Sequence, residues 1–318
     1  MSKEKKALHK TSIGGQALIE GIMMRGVDKC AMALRLKNGD IELEEWAIKG
    51  GKNAPWYKKT PFIRGCFNFI DSMTTGYKCL MKSADRAAEL DEGEELSKFD
   101  KWLNDKLGDK IMPIISAISM VLGVALAVFL FIFLPTWIVG ALCRFVPVLE
   151  PFRAFFEGII KIIMLVFYMW VTSLMKDIRR TYQYHGAEHK TIACYEAGED
   201  LTVENVRKSC RFHPRCGTSF ILIILLIGIA LFSLLFNGVQ TLWLRVLLRF
   251  CMLPVIVSIS YELIKLAGRY DNIFTKIISA PGLWLQRITT KEPDDSQIEV
   301  ALKAFMAVLP DNKEDDKW

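Results

Sequence analysis

From Ile111 to Val139 the chain carries no charged side chain. A stretch so long and so apolar has few folded destinations: it crosses a bilayer or fills the centre of a large core. Three more runs repeat the signal. Residues 154–175 are apolar apart from Glu157 and Lys161 near their start, and residues 218–236 are uncharged. Residues 242–267 hold Arg245 and Arg249 in their first turns, then an uncharged stretch from Phe250 to Tyr261. A crossing helix needs about 20 apolar residues, so the first three runs read as spans. The fourth either spans or begins as an interfacial helix. With 52% hydrophobic residues among 318, a purely soluble globule is not the expected class.

Basic residues orient the spans. Lys176, Arg179, Arg180, Lys190, Arg207, Lys208, Arg211 and Arg215 crowd the loop 176–217. The link between the first two runs holds Arg144 and Arg153, and residues 237–241 hold no basic residue. Positive charge stays cytoplasmic, which places that loop and both termini inside the cell. A net charge of +6 suits a face near anionic lipid, and no basic-aromatic stripe points to nucleic acid, so the bilayer is the expected partner. Met1 to Lys10 lack an apolar core, so no cleavable signal peptide is expected. The 8 cysteines have no paired spacing, which fits a reduced compartment.

The segments outside the spans read as a cytoplasmic α/β region. Residues 1–108 form its amino-terminal part, residues 109–267 the membrane region with its loop, and residues 268–318 a cytoplasmic carboxy-terminal segment. Cys30–Lys37 and Ile41–Ile48 flank Asn38-Gly39, a hairpin signal. Gly14 to Gly26 adds one further strand bounded by glycines. Phe62, Cys66, Phe69, Ile70, Met73, Tyr77, Leu80 and Met81 form a helical stripe, packed on the hairpin or laid along the membrane. Glu89–Ser97 reads as a solvated acidic linker, and Phe99–Leu107 leads into the first span. Near the other end, residues 273–285 form an apolar patch broken by Pro281-Gly282, too short to cross. Glu292, Asp294 and Asp295 read as a capping cluster. Asp294-Asp295-Ser296 caps a last helix with Ile298, Leu302, Phe305 and Leu309 on one face. The charged tail 311–318 is expected to fray.

Within the basic loop lies Tyr184-His185-Gly186-Ala187-Glu188-His189. On a helix, His185 and His189 share one face with Glu188 beside them. H-x-x-E-H is one of the orders in which metallopeptidases hold zinc and a general base. Cys194, Glu196, His213 and Cys216 follow, so every histidine but His9 falls within this loop. Two metal arrangements compete. In the catalytic one, His185 and His189 bind the cation, Glu196 or His213 completes the set, and Glu188 takes a proton from water. In the structural one, His213, Cys216, Cys194 and one imidazole close a tetrahedral site. A third reading has the histidines as hydrogen-bonded packing groups. Arg211 and Arg215 flank His213 and are the candidates for holding an anionic group, while the other basic residues fix topology. Gly14, Gly15 and Gly21 let backbone approach a ligand, and Glu20 and Arg25 lie among them as a buried pair or as functional groups. Arg245 and Arg249 snorkel to the outer interface.

Four blocks carry a family resemblance: Gly14–Gly26, Tyr184–Thr191, His213–Phe220, and Pro281–Gln286 with Glu292–Asp295. Together they resemble the bacterial membrane proteins of unknown function called YqhQ-like, a family labelled a predicted metal-dependent enzyme. The resemblance covers nearly the whole chain. It implies His185, Glu188, His189 and His213 as ligands, with Cys194, Glu196 and Cys216 nearby. Cys210 departs from the pattern, which has serine there, and this weakens a closed site built on Cys210, His213 and Cys216.

The expectation is therefore an α-helical polytopic protein of the bacterial inner membrane, with about four transmembrane helices and a cytoplasmic α/β region. Its expected function is a metal-dependent hydrolase using water activated by a divalent cation, zinc. The site would have Glu188 as base, His185, His189, His213 and Glu196 as ligands, and Arg211 and Arg215 on the substrate. Cys194, Cys216, Glu20 and Arg25 would support it. The rival is a non-enzymatic scaffold or regulator with a structural metal or a hydrogen-bonded histidine loop. Against transport, the first and third runs hold no ionisable residue.

Overall fold

The structure, a computed structural model, describes residues 9–48, 55–91, 111–236, 238–239, 241–270 and 272–318. The acidic stretch expected at Glu89–Ser97 begins inside a helix, and its remainder, with the lead-in Phe99–Leu107, lies outside the described residues. The chain forms two compact units, residues 1–87, 168–227 and 252–318 in the first and residues 88–167 and 228–251 in the second.

The first unit is built on an antiparallel meander of β1 (Gly14–Leu18), β2 (Gly21–Arg25), β3 (Lys29–Arg35) and β4 (Ile41–Ala47). The glycine-bounded segment thus gives two strands rather than one, because the chain reverses at Glu20 (φ 51°) and pairs Leu18 with Gly21. Side chains on a strand alternate between faces. Ile22, Met24, Ala31 and Ala33 accordingly enter one core, while Met23, Met32 and Leu34 enter a second with Leu18 and Cys79. Cys79 belongs to α1 (Ile63–Asp91), so the expected amphipathic helix covers one sheet face. Its other stripe leaves Phe67, Ile70, Met73 and Tyr77 exposed.

The main core packs the other sheet face against α5 (Lys176–Glu196) and α10 (Asp295–Ala307). Tyr184, Ala187, Ile192, Ile298, Ala301 and Phe305 are all buried there. Fully burying each large apolar side chain stabilises by roughly 1.5–3 kcal/mol. Asp294 caps α10 by accepting the Gln297 N–H, and Gln297 reciprocates in a capping box. The segment expected as a basic loop is therefore largely a 21-residue helix, followed by the short α6 (Val203–Lys208). Two more expectations change. Residues 273–289 form one continuous helix, α9 (Ile273–Thr289), through Pro281, since proline removes one helical hydrogen bond without ending the helix. The tail does not fray: Asp316 is buried against His9 and Thr11, and the Trp318 N–H donates to Lys10 at 2.8 Å.

Among the described residues, four helical segments are long and apolar enough to cross a membrane: Ala117–Phe145, Pro147–Thr172, Gly217–Leu235 and Trp243–Arg269. The first comprises most of α2 (Ile111–Val128), a π turn at Phe129–Phe133, and α3 (Leu134–Phe145). It thus runs past the expected end at Val139. Pro135 has no N–H to give the preceding turn, and the π turn sits directly before it. The others correspond to α4 (Arg153–Thr172), α7 (Gly217–Leu235) and α8 (Leu242–Arg269).

Within the second unit, Arg245 and Arg249 turn inward rather than snorkel. Arg245 Nη2 lies 3.1 Å from Glu157 Oε1, Arg249 pairs with Glu157 Oε2, and Arg153 Nε approaches Oε1 at 3.3 Å. Glu157 is 1% exposed. Away from water a charge is held only by an opposite charge, so one carboxylate gathers three guanidinium groups.

Candidate metal centre

Helix α5 sets His185 and His189 one turn apart, their ring centroids separated by 4.4 Å. Each ring is fixed by its Nδ1. His185 Nδ1 meets the Thr289 carbonyl at 2.8 Å and His189 Nδ1 meets the Arg211 carbonyl at 2.6 Å. A carbonyl only accepts, so each Nδ1 carries a proton, and Nε2 is the nitrogen that a neutral ring would offer to a cation. Fixing the tautomer through the remote nitrogen is the usual support for a metal-binding imidazole. Cys216, just before the first turn of α7, completes the set, with its Sγ 3.2 Å from His185 Nε2. Ligand atoms of His185, His189 and Cys216 all lie within 4.8 Å of one another. Tetrahedral zinc with one sulfur and two nitrogen ligands has ligand atoms about 3.3–3.7 Å apart, so this trio is close to the spacing that could hold one cation.

Glu188 stands outside the trio and is 5% exposed. Its Oε1 accepts the Gly15 N–H at 3.0 Å, and its Oε2 is buried without a hydrogen-bond partner among the described residues. Burial raises its carboxyl above the usual range, and the nearby imidazoles of His189 and His185 oppose this only in part. Gly15 is required for this approach. A Cβ there would lie 2.7 Å from the Met23 carbonyl and 3.1 Å from the Glu188 carboxyl carbon. Gly186 is required in the same way, because its missing Cβ leaves room for the Lys291 carbonyl.

The protonation pattern follows from burial and pairing. Burial alone would depress the His185 imidazolium, but the Cys216 thiolate beside it lifts it to about 9. Burial would raise the Cys216 thiol, yet His185 and His189 hold it well below its ordinary value. The pocket thus favours a Cys216 thiolate beside a His185 imidazolium: the sulfur is in its metal-binding state, and His185 would release its Nε2 proton on taking a cation.

The structure separates the remaining candidates. His213 lies beside His189, ring centroids 5.7 Å apart, but its Nε2 accepts from Arg215 Nη2 at 3.0 Å. Burial, with Arg215 and His189 nearby, lowers its pKa. Glu196 accepts from the Thr11 N–H at 2.8 Å and from Arg215. Neither stands in the cluster with His185 and His189, where the catalytic arrangement had expected one of them; Cys216, expected as support, stands there. Cys194 is buried in the main core, with Sγ 3.6 Å from the Asp200 carbonyl, and the closed site that included it is not formed. Glu20 and Arg25 do not pair with each other. Glu20 binds Arg180 and accepts from Tyr184 Oη at 3.2 Å, whereas Arg25 binds Asp71 at 2.7 Å. Through Gly15 and Glu20 the amino-terminal motif joins the histidine helix, and Arg25 does not.

The basic residues of residues 176–217 are mostly neutralised one by one. Lys190 and Arg211 pair with Glu292, Arg207 with Asp295, and Arg215 with Glu196. Arg215 is thereby fully engaged, while Arg211 keeps an unpartnered Nε. Sequence reasoning missed Gln286, which is fully buried and clamps the His213 backbone, accepting from its N–H at 2.8 Å and donating to its carbonyl at 2.7 Å. It missed Thr289 as well, since a backbone carbonyl leaves no mark in a side-chain pattern.

Residues 60–311 match the model of the family described as "Protein of unknown function (DUF1385)". The chain is 37% identical over 298 residues to an uncharacterised protein, YqhQ, of Bacillus subtilis (strain 168), a match spanning 93% of this chain and 92% of that one. No solved structure matches. The chain therefore belongs to the DUF1385 family, the YqhQ-like proteins whose function is unknown.

Proposed function

We propose that this chain is a metal-dependent hydrolase of the bacterial cytoplasmic membrane, with both termini and the histidine helix on the cytoplasmic side. The carrying observation is the conjunction of two tautomer-locked imidazoles, a thiolate and a buried carboxylate with one free oxygen. A divalent cation, zinc in a reducing compartment, would be held by His185, His189 and Cys216, and would supply Lewis acidity to water and substrate. Glu188 Oε2 takes the proton of the attacking water and returns it to the leaving group. Its raised pKa brings it nearer the value a base needs at neutral pH. The Gly15 N–H holds the other oxygen, so the free one keeps its direction. Arg211 Nε is the spare donor for an anionic group on the substrate.

The burial of Glu188, His189 and Cys216 also favours a second reading, a closed structural metal in a scaffold protein. Cobalt substitution separates the two. Wild-type protein purified in detergent is expected to bind about one metal ion per chain, with sulfur-to-cobalt absorption that disappears in Cys216→Ala. His185→Ala and His189→Ala should also lose the metal. Azide should shift the cobalt bands if one coordination position is open. Metal binding with no azide response would replace the enzyme by the scaffold, and absence of metal would remove both metal readings and leave the hydrogen-bonded histidine loop.

A further inference from the structure

Helix α8 ends in a pattern unlike the rest of its length. Glu262, Lys265, Leu266 and Arg269 recur at the spacing that places them on one helix face. With Arg64 and Trp318 they line a cleft of about 210 Å³ in the first unit. Arg64 Nε donates to Glu262 Oε1 at 2.8 Å, its Nη2 donates to Oε2, and the Phe62 N–H adds a third bond at 3.1 Å. That carboxylate is satisfied, and its charge is cancelled by Arg64. Among the described residues, Lys265 and Arg269 have no carboxylate partner, so the cleft keeps two uncompensated cations.

The surroundings of the cleft are apolar and exposed. Phe62 and Ile63 stand at its Arg64 side, Leu266 lines it, and Ile273 and Phe274 begin α9 a few residues beyond Arg269. Exposed patches of this kind mark interaction sites, and cations at the cytoplasmic end of a membrane helix attract anionic headgroups. Trp318 Nε1 donates to the Lys265 carbonyl at 3.2 Å, and Lys10 Nζ to the Gly268 carbonyl at 2.9 Å. The cleft wall is thus braced by both ends of the described chain.

We propose that this cleft binds the phosphodiester headgroup of an anionic phospholipid of the inner leaflet, with Lys265 and Arg269 on the phosphate and the acyl chains along Phe62, Ile63 and Leu266. The inference rests on the membrane placement proposed above but not on the metal. Loss of the chain from carbonate-washed membranes would sink the placement itself, whereas lipid selectivity in detergent is read separately. The test is native mass spectrometry of the full chain in neutral detergent, titrated with phosphatidylglycerol or phosphatidylcholine. Wild type should retain phosphatidylglycerol preferentially. Lys265→Gln and Arg269→Gln should each weaken retention about fivefold, and the double variant more, with an unchanged unfolding midpoint in detergent showing that the fold persists. Lys208→Gln, at an exposed pair elsewhere, should have no effect. Equal retention of the two lipids, or wild-type retention in both single variants, would overturn the proposal, as would an equal loss in Lys208→Gln. Displacement of the lipid by millimolar inorganic phosphate would overturn the lipid source in favour of a free-phosphate site.

Discussion

Glu188 and Glu196 lie on one helix, both buried, and their neighbours send them in opposite directions. For Glu188, burial outweighs the nearby imidazoles and its carboxyl is raised. Glu188→Gln should therefore keep the cobalt spectrum while lowering hydrolysis of a chromogenic ester such as p-nitrophenyl acetate by about a hundredfold or more. Loss of cobalt in this variant would make Glu188 a ligand instead. For Glu196, burial is outweighed by His213 and the Arg215 guanidinium, and its carboxyl is lowered from 4.5. The sign follows by linkage. A lowered folded pKa confers stability that is complete above about pH 4.5 and is lost as pH falls through the folded value. Glu196→Gln should be less stable than wild type at neutral pH, with a shallower acid limb below that point. Thermal unfolding followed from about pH 3 to 7 reads both, and parallel limbs would exclude the carboxylate as the titrating group.

At the scale of elements, α4 and α8 present the Glu157 cluster, where one carboxylate holds Arg153, Arg245 and Arg249. Breaking a buried pair by removing one partner strands the other, at about 3–5 kcal/mol. Glu157→Ala should accordingly lower the unfolding midpoint in detergent far more than Glu204→Ala, which removes only an exposed pair with Lys208. Equal effects would show that the cluster is solvated. Helices α1 and α9 carry the opposite lesson. In α9 the polar or small Thr275, Ser279, Gly282 and Gln286 are buried while Ile273, Phe274 and Ile277 are exposed, and α1 leaves Phe67 and Ile70 exposed beside its charged residues, unlike a soluble amphipathic helix. This arrangement supports interfacial placement for both.

For the whole molecule, the orientation proposed from the basic residues is open to one labelling experiment. Cys210 is exposed beside the candidate metal centre. A membrane-impermeant maleimide should label it in inverted vesicles but not in intact cells, with Cys210→Ala as the control. Labelling in intact cells would reverse the topology and place the site outside. The sheet, the histidine helix and the last helix share one core, so damage to any of them should also perturb the metal site.

Composition and periodicity by themselves determined most of the elements, though not the second strand within Gly14–Gly26 or the unbroken α9. Charge-free runs that long favour helices apolar enough to cross a bilayer, alternating strands around Asn38-Gly39 favour a hairpin, and the His185–His189 spacing places both rings on one helix face. These are local consequences of backbone geometry and of the cost of exposing backbone groups to lipid. Which groups meet was decided only by tertiary structure, because contacts between distant segments depend on how the elements pack. That packing brought Cys216, and not Glu196 or His213, against His185 and His189, gave Glu20 to Arg180, turned Arg245 and Arg249 inward, and set the Thr289 and Arg211 carbonyls against the imidazoles.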